Sequence, residues 1–242
     1  MKFAFFSDVH ANLAALKAVI LDFQAEKVDR VFFLGDAVGY GPNPNECVEL
    51  IDQISEIKLM GNHDYAALGL MVTDYFNQYA AKSMSWTRNS LSKKTIESLS
   101  DFELTAELDD FVIVHASPKE PKEWHYILDM DDVEESFNYF DKQICLIGHT
   151  HRPFIISKNE DGNCIISHKT EEKIYDNRRY LVNIGSVGQP RDSDPRSSYV
   201  IYNKDEKVIR FKRVDYDLSK TQQQMAKIGL PEYLIERLAI GR

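Results

Sequence analysis

Three short apolar runs separated by two helical segments occupy the first 60 residues of the chain. Phe3–Phe6 and Val31–Leu34 have the length and apolar character of buried strands, and the mostly apolar run Ile57–Met60 is the third. Between them, residues 12–24 repeat apolar side chains at spacings of three and four, and residues 44–54 form a second helical segment that begins at a proline. This alternation predicts a parallel, doubly wound α/β sheet.

The rest of the chain departs from this alternation. Residues 65–100 are helical in character and rich in aromatic side chains such as Tyr75, and we interpret them as a helical insertion within a single domain that spans residues 1–242. A hairpin around Asp109-Asp110 is expected next, and a second sheet packed on the first accounts for the strands that follow. The expected strands are 104–108, 111–114, 144–147, 154–157, 164–168, 180–184, 199–203 and 208–214, and the expected helices are 132–140, 217–229 and 231–239.

Charge and cysteine content narrow the class of protein. The 38 acidic and 29 basic residues give a net charge of −9, which disfavours binding to a nucleic-acid polymer. The three cysteines are odd in number and not closely spaced, which is typical of a reducing compartment. No apolar run has the length that spans a membrane or forms a secretory signal. We therefore expect a cytoplasmic protein without membrane association, and the sequence indicates no particular oligomeric state.

Carboxylate, amide and imidazole groups directly follow most of the apolar runs. Because the carboxyl ends of parallel strands meet at one edge of a sheet, we expect these groups to converge there. Seven donors exceed the ligands of one tetrahedral zinc site and suit two metal ions that share a carboxylate. The mixture of nitrogen and oxygen donors favours manganese, the ion we expect first, or iron, cobalt or zinc, over magnesium and calcium. The seven donors are Asp8, His10, Asp36, Asn62, His115, His149 and His151.

The stretch Gly61-Asn62-His63-Asp64 adds two further groups beside these donors. We expect Gly61 to let the backbone turn sharply, so that the next three side chains point out of the sheet edge. His63 is titratable near neutral pH. The carboxylate of Asp64 is expected to orient that histidine or, alternatively, to cap the helix that follows.

Five polar blocks of the chain occur in the order of the motif series of the calcineurin-like metallophosphoesterases, which the chain resembles. They are Asp8-Val9-His10, Gly35-Asp36, Gly61-Asn62-His63-Asp64, the lone His115 and Gly148-His149-Thr150-His151. The chain also resembles a prokaryotic phosphodiesterase and phosphatase branch of this superfamily in residues 35–42 (GDAVGYGP), 183–192 (NIGSVGQPRD) and 230–242. Any one block would be weak evidence, but five in order are specific.

The resemblance implies a four-layer αββα sandwich of two mixed β-sheets flanked by helices, with two divalent transition-metal ions. The implied ligands are Asp8, His10 and His151 for one ion and Asn62, His115 and His149 for the other, with Asp36 and a hydroxide bridging both. The implied activity is hydrolysis of a phosphoester or phosphoanhydride bond by that hydroxide. His63 would then be the general acid for the leaving oxygen, with Asp64 orienting it.

One departure from the protein phosphatases of this superfamily bears on the substrate. Those enzymes carry Gly-Asp-x-x-Asp-Arg-Gly in the second block, whereas residues 35–41 read GDAVGYG and lack the arginine. The phosphate would have to be bound by another residue, for which Arg191, Asn12 and Arg152 are the candidates. Arg191 could instead be a surface residue and Asn12 a helix cap. We expect a small phosphorylated metabolite or nucleotide as substrate, such as a dinucleoside polyphosphate or a phosphodiester. The alternatives are a protein Ser/Thr phosphatase and a non-catalytic scaffold on the same fold.

Two segments beside these motifs are open to more than one interpretation. The insertion 65–100 and the loop 116–130 either cover the site and bind substrate or only brace it. The aromatic residues Trp86, Trp124 and Tyr126 are candidates for stacking on a base, and the alternative is that they fill the core.

Overall fold

The computed structural model describes residues 1–73, 76–108 and 110–242, so Tyr75 and Asp109, named above, lie outside the described residues. The strands are β1 (Lys2–Phe6), β2 (Arg30–Phe33), β3 (Ile57–Lys58), β4 (Thr105–Glu107), β5 (Phe111–Val114), β6 (Ile144–Ile147), β7 (Phe154–Asn159), β8 (Cys164–Ser167), β9 (Glu171–Lys173), β10 (Arg178–Asn183), β11 (Ser197–Asn203) and β12 (Val208–Val214). The helices are α1 (Leu13–Glu26), α2 (Pro44–Ile54), α3 (Asn62–Ala67), α4 (Gln78–Ser90), α5 (Lys93–Ser100), α6 (Met130–Ser136), α7 (Leu218–Lys227) and α8 (Glu232–Glu236), with 3₁₀ turns at Pro121–Glu123 and Arg237–Ile240.

Within the described chain the strands form two six-stranded mixed sheets. The first has the order β3-β2-β1-β11-β12-β9 and the second the order β4-β5-β6-β10-β7-β8. Pairing is parallel among β1, β2 and β3 and among β5, β6 and β10, and antiparallel elsewhere. This confirms the expected mixed fold of two sheets flanked by helices. The parallel pairing that the first 60 residues predict is limited to three strands in each sheet.

Aromatic side chains fill the space between the two sheets. The ring of Phe5 stacks on that of Phe32 with centroids 5.1 Å apart, and it meets the ring of Phe111 from the second sheet edge-on at 5.0 Å. The next residues along the same strands, Phe6 and Phe33, point to the opposite face and pack against α1 and α2. Both faces of β1 and β2 are therefore buried, which explains why these strands are continuous apolar runs.

Helices cover the outer faces of the sheets. α1 and α2 pack on the first sheet, and Val133 of α6 and Phe137 just after it pack on the second. α7, α8 and the 3₁₀ turn after them contribute to an apolar cluster that also contains Tyr40 and Ala80 of α4. Among the described helices, none combines the length and the apolar character needed to cross a membrane.

Several elements differ in extent from the sequence prediction. β3 is shorter than the apolar run, because Leu59 pairs instead with Glu103 through an isolated bridge. α6 begins two residues before position 132, because Asp129 caps it by accepting a hydrogen bond from the Asp132 N–H. It ends at Ser136, well before the predicted position 140. The segment predicted as one helix over 231–239 is α8 followed by a 3₁₀ turn. β9 was not predicted because its three residues are all charged and have no apolar pattern.

Candidate metal centre

The predicted donors converge in a buried group at the ends of strands from both sheets. Asp8 and His10 follow β1, Asp36 follows β2, Asn62 follows β3, His115 follows β5, and His149 and His151 follow β6. The prediction that one sheet edge gathers all of them is therefore wrong. Two stacked sheets present the carboxyl ends of their parallel strands on the same side, and the loops of both sheets supply donors.

Five of these donors have left-handed backbone conformations that residues other than glycine rarely adopt. Such a conformation costs about 1–3 kcal/mol and persists only where the surroundings enforce it. Hydrogen bonds between the first two loops, from Asp8 N to Gly35 O (2.9 Å) and from His10 N to Asp36 O (3.0 Å), supply that constraint. The φ angles are 54° at Asp8, 47° at His10, 60° at Asp36, 66° at His149 and 60° at His151.

Asp8, His10 and His151 form one group, whose ligand atoms lie within 4.8 Å of one another. His151 Nε2 lies 3.1 Å from Asp8 Oδ1 and 3.1 Å from His10 Nε2. The second nitrogen of each ring faces a carbonyl, since His10 Nδ1 is 3.1 Å from Val38 O and His151 Nδ1 is 2.6 Å from Gln189 O. Donation from Nδ1 leaves two Nε2 lone pairs facing each other, an arrangement that a cation between them would stabilise.

Asp36, His115 and His149 form a second group of the same kind. Asp36 Oδ2 lies 3.4 Å from His115 Nε2 and 3.6 Å from His10 Nε2, so this carboxylate lies between the two groups. His115 Nδ1 is 2.7 Å from Leu34 O, which directs the opposite nitrogen toward Asp36. A single carboxylate therefore contacts histidines of both groups.

Four donor atoms of this centre are buried without a hydrogen-bond partner among the described residues. They are Asp8 Oδ1, Asn62 Oδ1, His115 Nε2 and His149 Nε2. An unpaired buried polar atom costs about 1–3 kcal/mol. Because nitrogen and oxygen donors of these types are ligands for divalent transition metals, the residues fit the metal pair that the sequence predicts.

The charges of the centre also favour a cation. Burial raises the pKa of Asp36, but the charges of His115 and His63 lower it, and the net shift is downward. Burial lowers the pKa of His115, but Asp36 and Asp8 raise it, to about 9. The pKa of His149 is lowered by burial to about 3. The carboxylates thus stabilise positive charge at His115, and a bound metal ion would replace the proton there.

His63 lies beside the centre and packs against three rings. Its ring centroid is 4.5 Å from that of Tyr40, 4.9 Å from that of Phe76 and 4.8 Å from that of His10. The backbone N–H of His63 donates to Asp36 Oδ1 at 2.8 Å, which ties the ring's position to that carboxylate. Burial lowers the pKa of His63 to about 4, and the charge of Asp36 opposes that shift. A third group with metal-ligand spacing, which was not predicted, joins His63 to His10 and Asp36.

Two glycines permit this close packing. Gly39 has φ +86°, and a Cβ there would lie 2.4 Å from His63 Nδ1. Gly61 has an ordinary φ of −99°, so the sharp turn expected of it is not the reason for a glycine at this position. The reason is space, because a Cβ at Gly61 would lie 2.0 Å from Asp36 Oδ1.

Asp64 does not orient His63 as predicted. Its Oδ2 accepts hydrogen bonds from the backbone N–H groups of Asp36 (2.8 Å) and Gly61 (3.0 Å), and its Oδ1 accepts one from Val38 (3.1 Å). It is the third residue of α3 rather than its cap, and the bond from Gly61 closes the first turn. Burial and the charge of Asp36 raise the pKa of Asp64, whereas the backbone N–H groups lower it. Asp64 therefore holds the loop that carries Asp36.

We expect Asp64→Asn to weaken metal binding by about 10- to 100-fold, the usual cost of losing a group that orients a metal ligand. An amide has only one acceptor oxygen, so at least one of the three N–H groups loses its partner, at about 1–3 kcal/mol of unfolding free energy. Calorimetric titration with Mn²⁺ measures the metal affinity. Chemical denaturation in the presence of a chelator measures the free energy of unfolding without metal. Asp217→Asn is the matched control, since Asp217 caps α7 on the surface by accepting from Lys220 N at 3.0 Å. Unchanged Mn²⁺ affinity in Asp64→Asn would contradict this role.

The side chain of Asn12 is used within the protein. Its Oδ1 accepts hydrogen bonds from Ala15 N (3.2 Å) and Thr221 Oγ1 (2.9 Å), and its Nδ2 donates to Gly188 O at 2.9 Å. Only 1% of the residue is exposed. The geometry supports the alternative interpretation of Asn12 as the cap of α1, not the substrate-binding role.

Arg191 lies at the edge of the centre. Its Nη2 donates to Gln189 Oε1 at 2.8 Å, and it forms no ion pair among the described residues, since the neighbouring Asp192 pairs with Arg213. Its guanidinium carbon lies 5.7 Å from the ring centroid of Tyr40. After burial, the charge of Arg191 is among the causes that lower the pKa of His63, so it acts on the site electrostatically. Arg191 stays a candidate for binding a substrate phosphate.

Two further residues beside the centre were not among the predicted site residues. The ring of Tyr126, named above only as a base-stacking candidate, lies with its centroid 4.0 Å from that of His149. The pKa of Arg237 is lowered by burial and then by the charge of Arg191, which shows that the two guanidinium groups interact. Tyr126 has no sequence signal that connects it to the donors. Arg237 lies in the resembled segment 230–242, but nothing in that segment indicates a position beside them.

Comparisons with known proteins agree with this architecture. The family model of the calcineurin-like phosphoesterase superfamily domain matches residues 1–207. The uncharacterised protein MJ0912 of Methanocaldococcus jannaschii is 42% identical over 245 residues, which are 99% of this chain and 98% of that protein. The crystal structure of a metallophosphoesterase from Sphaerobacter thermophilus is 40% identical with a TM-score of 0.88, over 100% of this chain and 99% of that chain. The hypothetical protein PH1004 from Pyrococcus horikoshii OT3, 17% identical, shares the fold with a TM-score of 0.80 over 100% of this chain and 98% of that chain.

Proposed function

Because the chain belongs to the calcineurin-like phosphoesterase superfamily, we propose that it hydrolyses phosphoester or phosphoanhydride bonds with the aid of two divalent metal ions. The observation that carries this proposal is the pair of buried Asp/His groups on either side of Asp36, with four donor atoms left unpaired. A phosphohydrolase is also what the family and the similar Sphaerobacter metallophosphoesterase support.

The two groups divide the proposed metal ligands between them. One ion would be held by Asp8, His10 and His151, and the other by Asn62, His115 and His149, with Asp36 between them. Two divalent ions, when bound, lower the pKa of a water nucleophile and neutralise the phosphate oxygens. The donor mixture suits manganese, iron, cobalt or zinc, and we propose manganese.

His63 would hold the proton that the leaving oxygen needs. Tyr40 and Phe76 confine its ring, and the hydrogen bond from its backbone to Asp36 fixes it next to the centre. Burial alone keeps the imidazole neutral, but the negative charges of Asp36 and of a bound phosphate both raise its pKa. As a general acid, His63 would have to be protonated while the substrate is bound.

Arg191 would bind a non-reacting oxygen of the phosphate. The protein phosphatases of the superfamily have an arginine where this chain has Tyr40. The guanidinium of Arg191 lies over the Tyr40 ring, so a positive charge lies next to position 40 although it belongs to a different segment of the chain. Because the phosphatase arginine is absent, we propose small phosphorylated metabolites or nucleotides as substrates, including dinucleoside polyphosphates and phosphodiesters.

A substrate panel on metal-stripped protein tests this proposal. Hydrolysis of a nitrophenyl phosphomonoester, its bis-ester, a dinucleoside tetraphosphate and a phosphopeptide would be measured before and after Mn²⁺ is added back. We expect turnover only with metal, and faster turnover on the bis-ester or the tetraphosphate than on the phosphopeptide. A preference for the phosphopeptide would identify a protein phosphatase. If the protein shows no turnover and binds no metal, it is a non-catalytic scaffold.

A further inference from the structure

A mostly apolar cleft of about 400 Å³ lies beside the candidate metal centre. Its walls come from the loop before α6, from α6 itself, and from β7 and β8, and they include Ile127, Leu128, Phe154 and Ile166. Its polar lining consists of Asp129, Thr150 and Arg152. The volume is within the range of small-molecule sites, about 300–1,000 Å³.

The cleft adjoins the metal centre on the side of His149. Thr150, which lines the cleft, stands in the chain between the two donors His149 and His151. Ile127, which also lines it, follows Tyr126, whose ring lies 4.0 Å from that of His149. A ligand whose phosphate lies at the donors can therefore reach the cleft with the group attached to that phosphate.

The walls of the cleft leave apolar side chains in contact with water. Leu128 is 73% exposed and Ile166 is 45% exposed. Covering such surface with an apolar group is favourable, and a cleft of this composition next to a polar centre is the usual arrangement of a ligand site. A sugar in the same place would set most of its hydroxyl groups against isoleucine, leucine and phenylalanine, which is unfavourable.

One cationic side chain lines the cleft. Arg152 is exposed, its Nε donates to Arg191 O at 3.1 Å, and it forms no ion pair with any described residue. A guanidinium in this position suits the phosphate that joins the two parts of a ligand.

We propose that this cleft binds the organic group of the substrate, a planar apolar ring such as a nucleobase or an aryl group. The ring would be linked to the phosphate at the metal centre, with Arg152 beside that phosphate. The inference rests on the proposed function for the position of the phosphate, and it assigns specificity for ring-bearing phosphoesters to residues outside the five family motifs.

Binding of phosphonates to the Mn²⁺-loaded full chain tests the proposal without turnover. Phenylphosphonate and methylphosphonate carry the same anionic group and differ by the ring, and neither contains an ester bond that the enzyme could hydrolyse. We expect calorimetry to give phenylphosphonate about tenfold higher affinity, the gain expected from burying part of one ring. A phosphonate analogue of adenosine monophosphate identifies the ring: tighter binding than phenylphosphonate indicates a nucleobase, and weaker binding a smaller aryl group.

Two neighbouring residues of β8 provide a matched pair of variants. Ile165 and Ile166 are 47% and 45% exposed and point to opposite faces of the strand, but only Ile166 lines the cleft. We expect Ile166→Gln to remove the advantage of phenylphosphonate and leave methylphosphonate binding unchanged, because glutamine makes the cleft wall polar without adding a charge beside Arg152. The Ile165→Gln variant should bind both as the unmodified protein does.

The outcomes separate this inference from the proposed function. Equal affinity for the two phosphonates, binding of neither, or equal effects of the two variants would overturn the assignment of the cleft, even if the protein hydrolyses phosphoesters. Selective binding of phenylphosphonate that depends on Ile166 would support the assignment, even if no ester in the substrate panel is hydrolysed.

Discussion

Asp36→Asn should remove nearly all activity, with a loss in kcat of about 10³-fold or more, or about 4 kcal/mol of transition-state stabilisation. Asp36 Oδ2 lies 3.4 Å from His115 Nε2 and 3.6 Å from His10 Nε2, so loss of its charge weakens both metal groups at once. The amide keeps the shape of the side chain, and its oxygen can still accept the hydrogen bond from His63 N. The fold should therefore survive the change.

Metal content and turnover of Asp36→Asn would be measured together with those of a matched variant, Asp8→Asn. Asp8 Oδ1 is 3.1 Å from His151 Nε2 and 3.7 Å from His10 Nε2, and only at 4.0 Å does it approach His115 of the other group. Asp8→Asn should therefore release mainly one ion, whereas Asp36→Asn should weaken both. Turnover of Asp36→Asn close to that of the unmodified protein would refute the bridging assignment.

The positions of the candidate donors could be predicted because their signals are local. β1, β2 and β5 are short apolar runs that are largely buried, and a functional group follows each within a few residues. Asp8, Asp36 and His115 can therefore be found in the sequence without knowing which strands pair. Which sheet each strand joins was not predictable in the same way. β5 and β6 belong to a second sheet, and that pairing depends on contacts between segments far apart in the sequence.

The roles of Asp64, Asn12 and Gly61 show why residue type and position are not sufficient. A carboxylate next to a histidine suggests a pair, but three backbone N–H groups lie closer to Asp64 and take both of its oxygens. Asn12 is engaged by Thr221, more than 200 residues away in the chain. Gly61 is required by the approach of Asp36, a contact that only the folded chain reveals.

The cleft was invisible in the sequence for the same reason. Ile127, Thr150 and Ile166 line it from three separate segments, none with a periodic pattern that points to a common cavity. Half-exposed isoleucines in an edge strand suggest only an ordinary amphipathic strand. Motifs near the chemistry therefore predicted the class of reaction, whereas the surroundings that select the substrate needed the structure.

His63→Gln should separate proton donation from metal binding. If His63 is the general acid, the variant keeps its metal ions and loses about 10²–10⁴-fold in turnover on an ester whose leaving group is an alcohol. The nitrophenyl ester of the same acid should lose much less, because nitrophenolate leaves without a proton. Glutamine is no larger than histidine, so packing against the rings of Tyr40 and Phe76, which confine His63, should change little.

His125→Gln is the matched control, since that histidine is exposed and pairs with Glu120 at 3.1 Å on the loop outside the centre. It should leave metal content and both rates unchanged. Because His63 also has metal-ligand spacing with His10 and Asp36, the metal content of His63→Gln decides between two roles. Loss of an ion, with equal loss of activity on both esters, would make His63 a ligand and not an acid. Retained metal with a loss confined to the alcohol ester would support proton donation by His63, because the alcohol must be protonated as it leaves and nitrophenolate need not be.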